Sequence, residues 1–224
     1  SSDSGIATAT THGHAEDGTA AVPVVDPITG STTVTTEHAH AESDIVYTDL
    51  PADTKAEIDV VIALWQNKFP TAADAIAGGW SKATRNLYGI GAHYISGNGL
   101  AADSFDMLEP NILLYDGEGP DAKFAGVSYV VKFTAPEGFT GPYDVWHAHS
   151  SVCLIGGEGV SLTEENSDVW LSESDCLARG GRLQPLESDQ MMHLWIGPDY
   201  IGTGPIMSHD HPLLLDGYNP QRDG

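Results

Sequence analysis

Tyr143-Asp144-Val145-Trp146-His147-Ala148-His149 is the stretch on which the reading of this chain turns. It reads as a β-strand that carries two histidines two positions apart. Alternate side chains of a strand share a face, so His147 and His149 point the same way, roughly 6.6 Å apart along the chain. A transition metal sits about 2.0–2.1 Å from each imidazole nitrogen, so such a pair can close on one ion. The competing reading makes them surface residues on an edge strand.

Two more histidines stand in ordered-looking surroundings, His93 in Gly91-Ala92-His93-Tyr94 and His193 in Met191-Met192-His193-Leu194-Trp195. The candidate ligand set is therefore His93, His147, His149 and His193. Imidazole suits Zn, Cu, Fe and Ni, whereas Mg and Ca want carboxylates. The expected cofactor is a transition metal ion, Cu or Zn. Three histidines with a water make an open, catalytic-type site, and four approach a saturated one. Asp144 either orients one of these rings by accepting its outer N–H or serves as a turn residue at the strand edge. His209 and His211, in the loop before Pro212, either cap the site or lie in solvent. Tyr94, Trp146 and Trp195 each neighbour a histidine and are expected to form apolar wall rather than a redox relay.

Outward from the histidines, the texture after Trp80 is that of glycine-punctuated strands. Asn111 to Tyr115 is a short apolar strand. Lys123 to Phe133 is longer, with Val127, Tyr129, Val131 and Phe133 on one face and Ser128, Val130 and Lys132 on the other. Met191 to Ile196 is the last clear strand, with Met191 and Trp195 on the face of His193. Before Trp80 the pattern is helical from Thr48 to Pro70, where Ile58, Val61, Ile62 and Trp65 recur on one face. Thr71 with Asp74 reads as a capping box for a second helix, Ala72 to Ala77, closed by Gly78-Gly79. Helices first and antiparallel strands after them predict an α+β class, with N-terminal helices packed on an antiparallel β-sandwich or small barrel.

Residues 1–45 read as a separate Ser/Thr-rich extension, and 46–224 as the globular α+β domain. The extension repeats His-x-His-Ala-Glu at His12-Gly13-His14-Ala15-Glu16 and His38-Ala39-His40-Ala41-Glu42. Each pair is a weak candidate for Cu or Zn. Two β-prone runs within 22–36 flank a Pro/Gly turn, which suits a hairpin. A lone hairpin is marginal in water and needs a surface to lie on. Self-association through this extension is the partner expectation, the alternative being a flexible Thr-rich tail.

Nine Lys plus Arg against 32 Asp plus Glu give a formal net charge of −23. That argues against nucleic acid, whose binding draws on cationic residues, and against anionic membrane surfaces. It suits a protein that stays in solution at high salt or concentrates cations near its surface. No run of about 20 apolar residues is present, so membrane insertion by a helix is not expected. The opening Ser1-Ser2-Asp3-Ser4 resembles the mature end of a processed export precursor. Cys153 and Cys176 flank a Gly- and Glu-rich insertion, and in an exported protein an even pair favours a disulfide. The expected location is secreted, extracellular or cell-surface.

With these residues assembled, the chain resembles a family of uncharacterised exported bacterial proteins. The resemblance runs over about residues 70–215. It is carried by Gly91-Ala92-His93-Tyr94, Glu109 to Tyr115, Phe124 to Tyr129, and Asp144 to His149 with Cys153 after it. It continues through Cys176 with Gly180-Gly181, Met192-His193-Leu194-Trp195 and Ser208-His209-Asp210-His211-Pro212. It implies export, the disulfide and histidines that belong together, and it carries no activity. A weaker similarity is to the metal site of cupins, where His-x-His on one strand joins a later histidine on another. The glutamate expected soon after that pair is missing, since Ser150-Ser151-Val152-Cys153 stands there and Glu158 comes late. A small cupin-like β-barrel or a sandwich with an internal site is therefore the whole of what this second similarity implies, and no cupin activity comes with it.

Neither Gly-x-Ser-x-Gly nor a phosphate-binding glycine loop precedes a helix. Two function classes remain. One is a metal-binding protein, either a metalloenzyme or a metal-handling protein. The other is an extracellular structural or assembly protein whose histidine site is structural. The sequence leaves catalysis open.

Overall fold

The computed structural model describes residues 22–25, 32–35, 44–97, 101–162, 171–186 and 189–223. The chain divides into two compact units, Ser1–His40 and Ala41–Gly224. In the first, β1 (Val22–Val25) and β2 (Thr32–Thr35) pair antiparallel with Val22 opposite Thr35, the hairpin expected of two β-prone runs. His12, His14, His38 and His40 lie outside the described residues.

The second unit is α+β with antiparallel sheets. Its first helix, α1 (Ala52–Trp65), is shorter than the predicted span from Thr48 to Pro70. Proline disfavours helical geometry in the residue before it, and Leu50, preceding Pro51, is extended at φ −62°, ψ 140°. Tyr47–Asp49 therefore forms a separate 3-10 turn. The second helix, α2 (Ala72–Ala77), has the predicted bounds. The Thr71 hydroxyl accepts from the Asp74 N–H at 3.3 Å, and the Asp74 carboxylate accepts from the Thr71 N–H at 3.1 Å. This reciprocal box satisfies two donors that a helix start otherwise leaves open.

The strands are β3 (Ser81–Lys82), β4 (Ala92–Ile95), β5 (Ile112–Asp116), β6 (Lys123–Val131), β7 (His147–Ala148), β8 (Ser151–Ile155), β9 (Glu158–Leu162), β10 (Arg182–Pro185) and β11 (Gln190–Leu194). Six of them form one sheet in the order β3-β4-β5-β6-β11-β7, and β10-β8-β9 form a second. β6 ends two residues before the predicted Phe133, whose backbone turns left-handed at φ 70°. The histidine strand is much shorter than the seven residues expected. Only His147 and Ala148 pair, with β11, and His149 lies just past the strand end.

Register assigns the two faces of the large sheet. His93 lies opposite Leu114, Leu114 opposite Gly126, and Ser128 opposite both Ile112 and His193. Met191 lies opposite both Val130 and His147. Directly paired residues share a face, so His93, His193 and His147 stand on one side of the sheet. Around them is the smaller core of Ile112, Leu114, Val130, Met191 and Trp195. The other side carries Tyr94, Leu113, Val127, Tyr129, Met192 and Leu194, packed in one core with Ile58, Val61 and Trp65 of α1. Fully burying an aliphatic or aromatic side chain is worth about 1.5–3 kcal/mol. The helix side thus holds the sheet, and the opposite side is left to the histidines.

Gly126 sits at the centre of the histidine face because nothing larger fits. A Cβ there would stand 2.3 Å from the Leu194 carbonyl oxygen of the neighbouring strand. Behind the small sheet, Cys153 of β8 and Cys176 of α3 (Glu173–Ala178) form a disulfide with a Cα separation of 5.8 Å. Both cysteines are buried with Val160 and Leu171.

Candidate metal centre

Five histidines converge on this face. His93 comes from β4, His193 from β11, His147 from β7, His149 from the bend after β7, and His209 from the loop beyond β11. The ring nitrogens that His147, His149 and His209 can offer all lie within 4.8 Å of one another. This triad can hold a metal ion. The His147 and His149 ring centroids are 5.0 Å apart, and those of His147 and His209 are 4.5 Å apart. The two-residue spacing thus brings the pair together, although His149 has already left the strand.

His193 adjoins the triad, with centroid distances of 5.1 Å to His147 and 5.6 Å to His209. On its far side it meets His93, with Nε2 to Nε2 at 3.4 Å. The four histidines read from the sequence are therefore gathered in one region. His93 and His193 form a facing pair beside the triad.

Sequence reading did not choose between His209 as a cap and His209 as a solvated residue. The loop is fixed from two directions. Trp195 donates its indole N–H to the Ser208 carbonyl at 2.9 Å, and the His211 N–H donates to the Gly89 carbonyl at 2.8 Å. These bonds span β11 and the glycine turn before β4, so no local pattern announces them. His211, held by the same loop, packs against Trp195 and Tyr200, with centroids at 5.5 and 5.2 Å.

The outer nitrogens follow one rule. His193 Nδ1 lies 2.7 Å from the His209 carbonyl oxygen, His147 Nδ1 3.5 Å from the Val145 carbonyl oxygen, and His209 Nδ1 2.7 Å from the Asp210 carboxylate. A carbonyl or carboxylate oxygen can only accept, so each Nδ1 bears the proton and each Nε2 is left with its lone pair. Metal-binding histidines are oriented in this way, by a carbonyl or carboxylate on the outer nitrogen. The buried His147 Nε2 has no hydrogen-bond partner. Asp210 thus takes the orienting role that the sequence offered to Asp144. Asp144 instead accepts from the Gly138 and Phe139 N–H groups, both at 3.1 Å, and fastens that turn.

Burial keeps the His93, His147 and His193 rings neutral. Desolvation pushes His93 down to about 4 and holds His147 and His193 well below the ordinary histidine range, with the neighbouring imidazoles acting in the same direction. A neutral imidazole is the form that binds a metal. Trp195 packs edge-on to His193 at 5.2 Å, and Tyr94 faces the opposite core. Both are apolar wall, as expected. Half-buried Trp146 packs on Phe105 at 5.9 Å.

Comparison of the chain with known family models, curated proteins and solved structures gives no match. The chemistry of the site therefore rests on its own geometry.

Proposed function

We propose that this is an exported transition-metal-binding protein, with Cu or Zn held by its histidine cluster. The observation that carries the reading is the His147-His149-His209 triad, in which His147 and His149 are buried and His209 is half-buried. The Val145 carbonyl behind His147 and the Asp210 carboxylate behind His209 turn those two imidazole lone pairs inward. An all-imidazole donor set favours Cu or Zn over Mg or Ca. Three protein ligands leave a position for water, which suits a metalloenzyme or a metal-handling protein. The disulfide supports an oxidising compartment outside the cytoplasm, as the resemblance to exported bacterial proteins implies. No described helix is long and apolar enough to cross a membrane.

The test is the metal content of the full chain purified without a histidine tag and exposed to equimolar Cu and Zn. The parent retains at least one ion per chain, and His147→Ala loses it while the His12→Ala, His14→Ala pair does not. Equal metal content in parent and His147→Ala overturns the reading.

The β1–β2 hairpin favours a second reading, in which residues 1–45 serve assembly. Two four-residue strands that pair with each other in a two-stranded sheet are marginal alone. A neighbouring copy offers the surface they need. Deleting residues 1–40 then converts an oligomer to a monomer in light scattering, and an unchanged mass removes this reading.

A further inference from the structure

We infer that the centre has a second metal position, between His93 and His193, beside the His147-His149-His209 triad. The inference rests on the metal-binding reading of that triad and adds a distinct ion to it.

The argument begins with protons. His193 Nδ1 faces the His209 carbonyl oxygen at 2.7 Å, so its proton is on Nδ1. His93 is fixed from its own surroundings. The Thr84 hydroxyl donates its single proton to the Arg85 carbonyl at 2.9 Å and accepts the His93 backbone N–H at 3.0 Å. Towards His93 Nδ1, 3.3 Å away, it can therefore only accept. The His93 proton is thus on Nδ1 as well. Both Nε2 atoms are bare, and they face each other at 3.4 Å in the interior.

Two imidazole lone pairs at that distance repel unless a cation lies between them. A proton there would make a buried imidazolium with no anion in contact, which the desolvated surroundings resist. A divalent ion meets both lone pairs. Two Nε2 atoms bound at 2.0–2.1 Å on a tetrahedral ion lie about 3.3–3.4 Å apart, which matches the distance observed.

A second observation is independent of the rings. Ser128 lies directly across the strand pair from His193, on the same face, and is fully buried. Its hydroxyl has no hydrogen-bond partner. A buried hydroxyl without a partner is uncommon. Cross-strand neighbours have Cβ atoms about 4.5–5.5 Å apart, a separation that a water on the ion can bridge. The second ion would then have two imidazoles and at least one water. Beside the triad it makes a two-metal arrangement, and such sites hold their ions about 3.5–4 Å apart.

The test uses the full chain with His12→Ala, His14→Ala, His38→Ala and His40→Ala, so that the extension contributes no imidazole. The protein is stripped with EDTA, loaded with Zn²⁺, passed through gel filtration and assayed for zinc per chain. Two zinc ions are expected in this parent and one after His93→Gln or His193→Gln. Loading with Cu²⁺ gives a second measurement that needs no variant at the site. Neighbouring Cu(II) ions couple, so the electron paramagnetic resonance intensity of the parent falls well below that of two isolated ions. One zinc in the parent, or two after His93→Gln, overturns the second position and leaves the triad standing. Uncoupled copper in the parent also overturns it. No zinc in the parent overturns the triad reading as well.

Discussion

Removing the disulfide is the perturbation whose size the structure fixes best. Cys153 and Cys176 are 23 residues apart and both buried. On the chain-entropy model, closing a loop of that length lowers the entropy of the unfolded chain by about 11 cal/mol/K. This is worth about 3 kcal/mol of stability at 25 °C. The Cys153→Ala/Cys176→Ala protein should therefore unfold in urea with ΔG lower by about 3 kcal/mol. Its m-value should be equal or higher, because the uncrosslinked unfolded chain exposes more surface. Reduction of the parent should shift its urea midpoint in the same direction. The bond ties β8 to α3, on the far side of β8 from His149 in sequence. Zinc retained by folded double variant in the absence of urea should therefore equal that of the parent. A loss of stability below about 1 kcal/mol would refute the entropic account. A loss of zinc from the folded variant would show that the bond positions the histidine bend as well.

Three further outcomes are expected. In the metal-free protein His93 is held down to about 4 by burial, against about 6.5 unfolded. Between those values the unfolded chain binds the extra proton, so this contribution is present above pH 6.5 and lost as the pH falls. It amounts to about 2 kcal/mol by pH 5 for His93 alone, and His147 and His193 act in the same direction. Asp144, raised to about 6 chiefly by burial, works oppositely, since the folded state holds its proton longer. Urea midpoints of EDTA-treated protein should fall from pH 7 to 5, and less steeply in His93→Gln; equal slopes refute the assignment. Gly126→Ala places a Cβ 2.3 Å from the Leu194 carbonyl oxygen and should destabilise by about 1–3 kcal/mol. A neutral urea midpoint in that variant would mean that β6 and β11 can separate at no cost. Gly89→Ala strains a residue at φ +79° and sets its Cβ 2.9 Å from the Asp210 carboxyl carbon. It should cost about 1–2 kcal/mol and, in a zinc competition assay, weaken metal binding through His209; unchanged zinc affinity refutes the orienting role of Asp210.

What the sequence discloses and what it hides divide along a physical line. Local rules reach the capping box at Thr71 and Asp74, the alternation of Val127 and Tyr129 against Ser128 and Val130, and the common face of Met191, His193 and Trp195. Each depends on side-chain periodicity within one element. The same rules overextend the histidine strand, because Tyr143 to Trp146 have strand composition and no partner strand among the described residues. Pairing is a property of two segments, and β11 offers β7 only Gln190 and Met191. His209 is hidden for a related reason. Its place is set by the Trp195 and Gly89 hydrogen bonds, which join residues far apart in sequence, and nothing in Ser208-His209-Asp210-His211 encodes their length. The histidine face shows how the two kinds of information combine. Periodicity puts His93 and His193 on the correct sides of their strands, yet β4 and β11 are separated by β5 and β6. In a flat sheet three strand spacings come to about 14 Å, while the rings stand 5.5 Å apart. The sheet must therefore curl towards this face, with Gly126 and Ser128 as the small residues at the inside of the bend. A curl that brings bare nitrogens together, with an unpartnered serine hydroxyl between their strands, carries a polar cost that the apolar packing around it does not remove. Its compensation has to come from what the nitrogens bind.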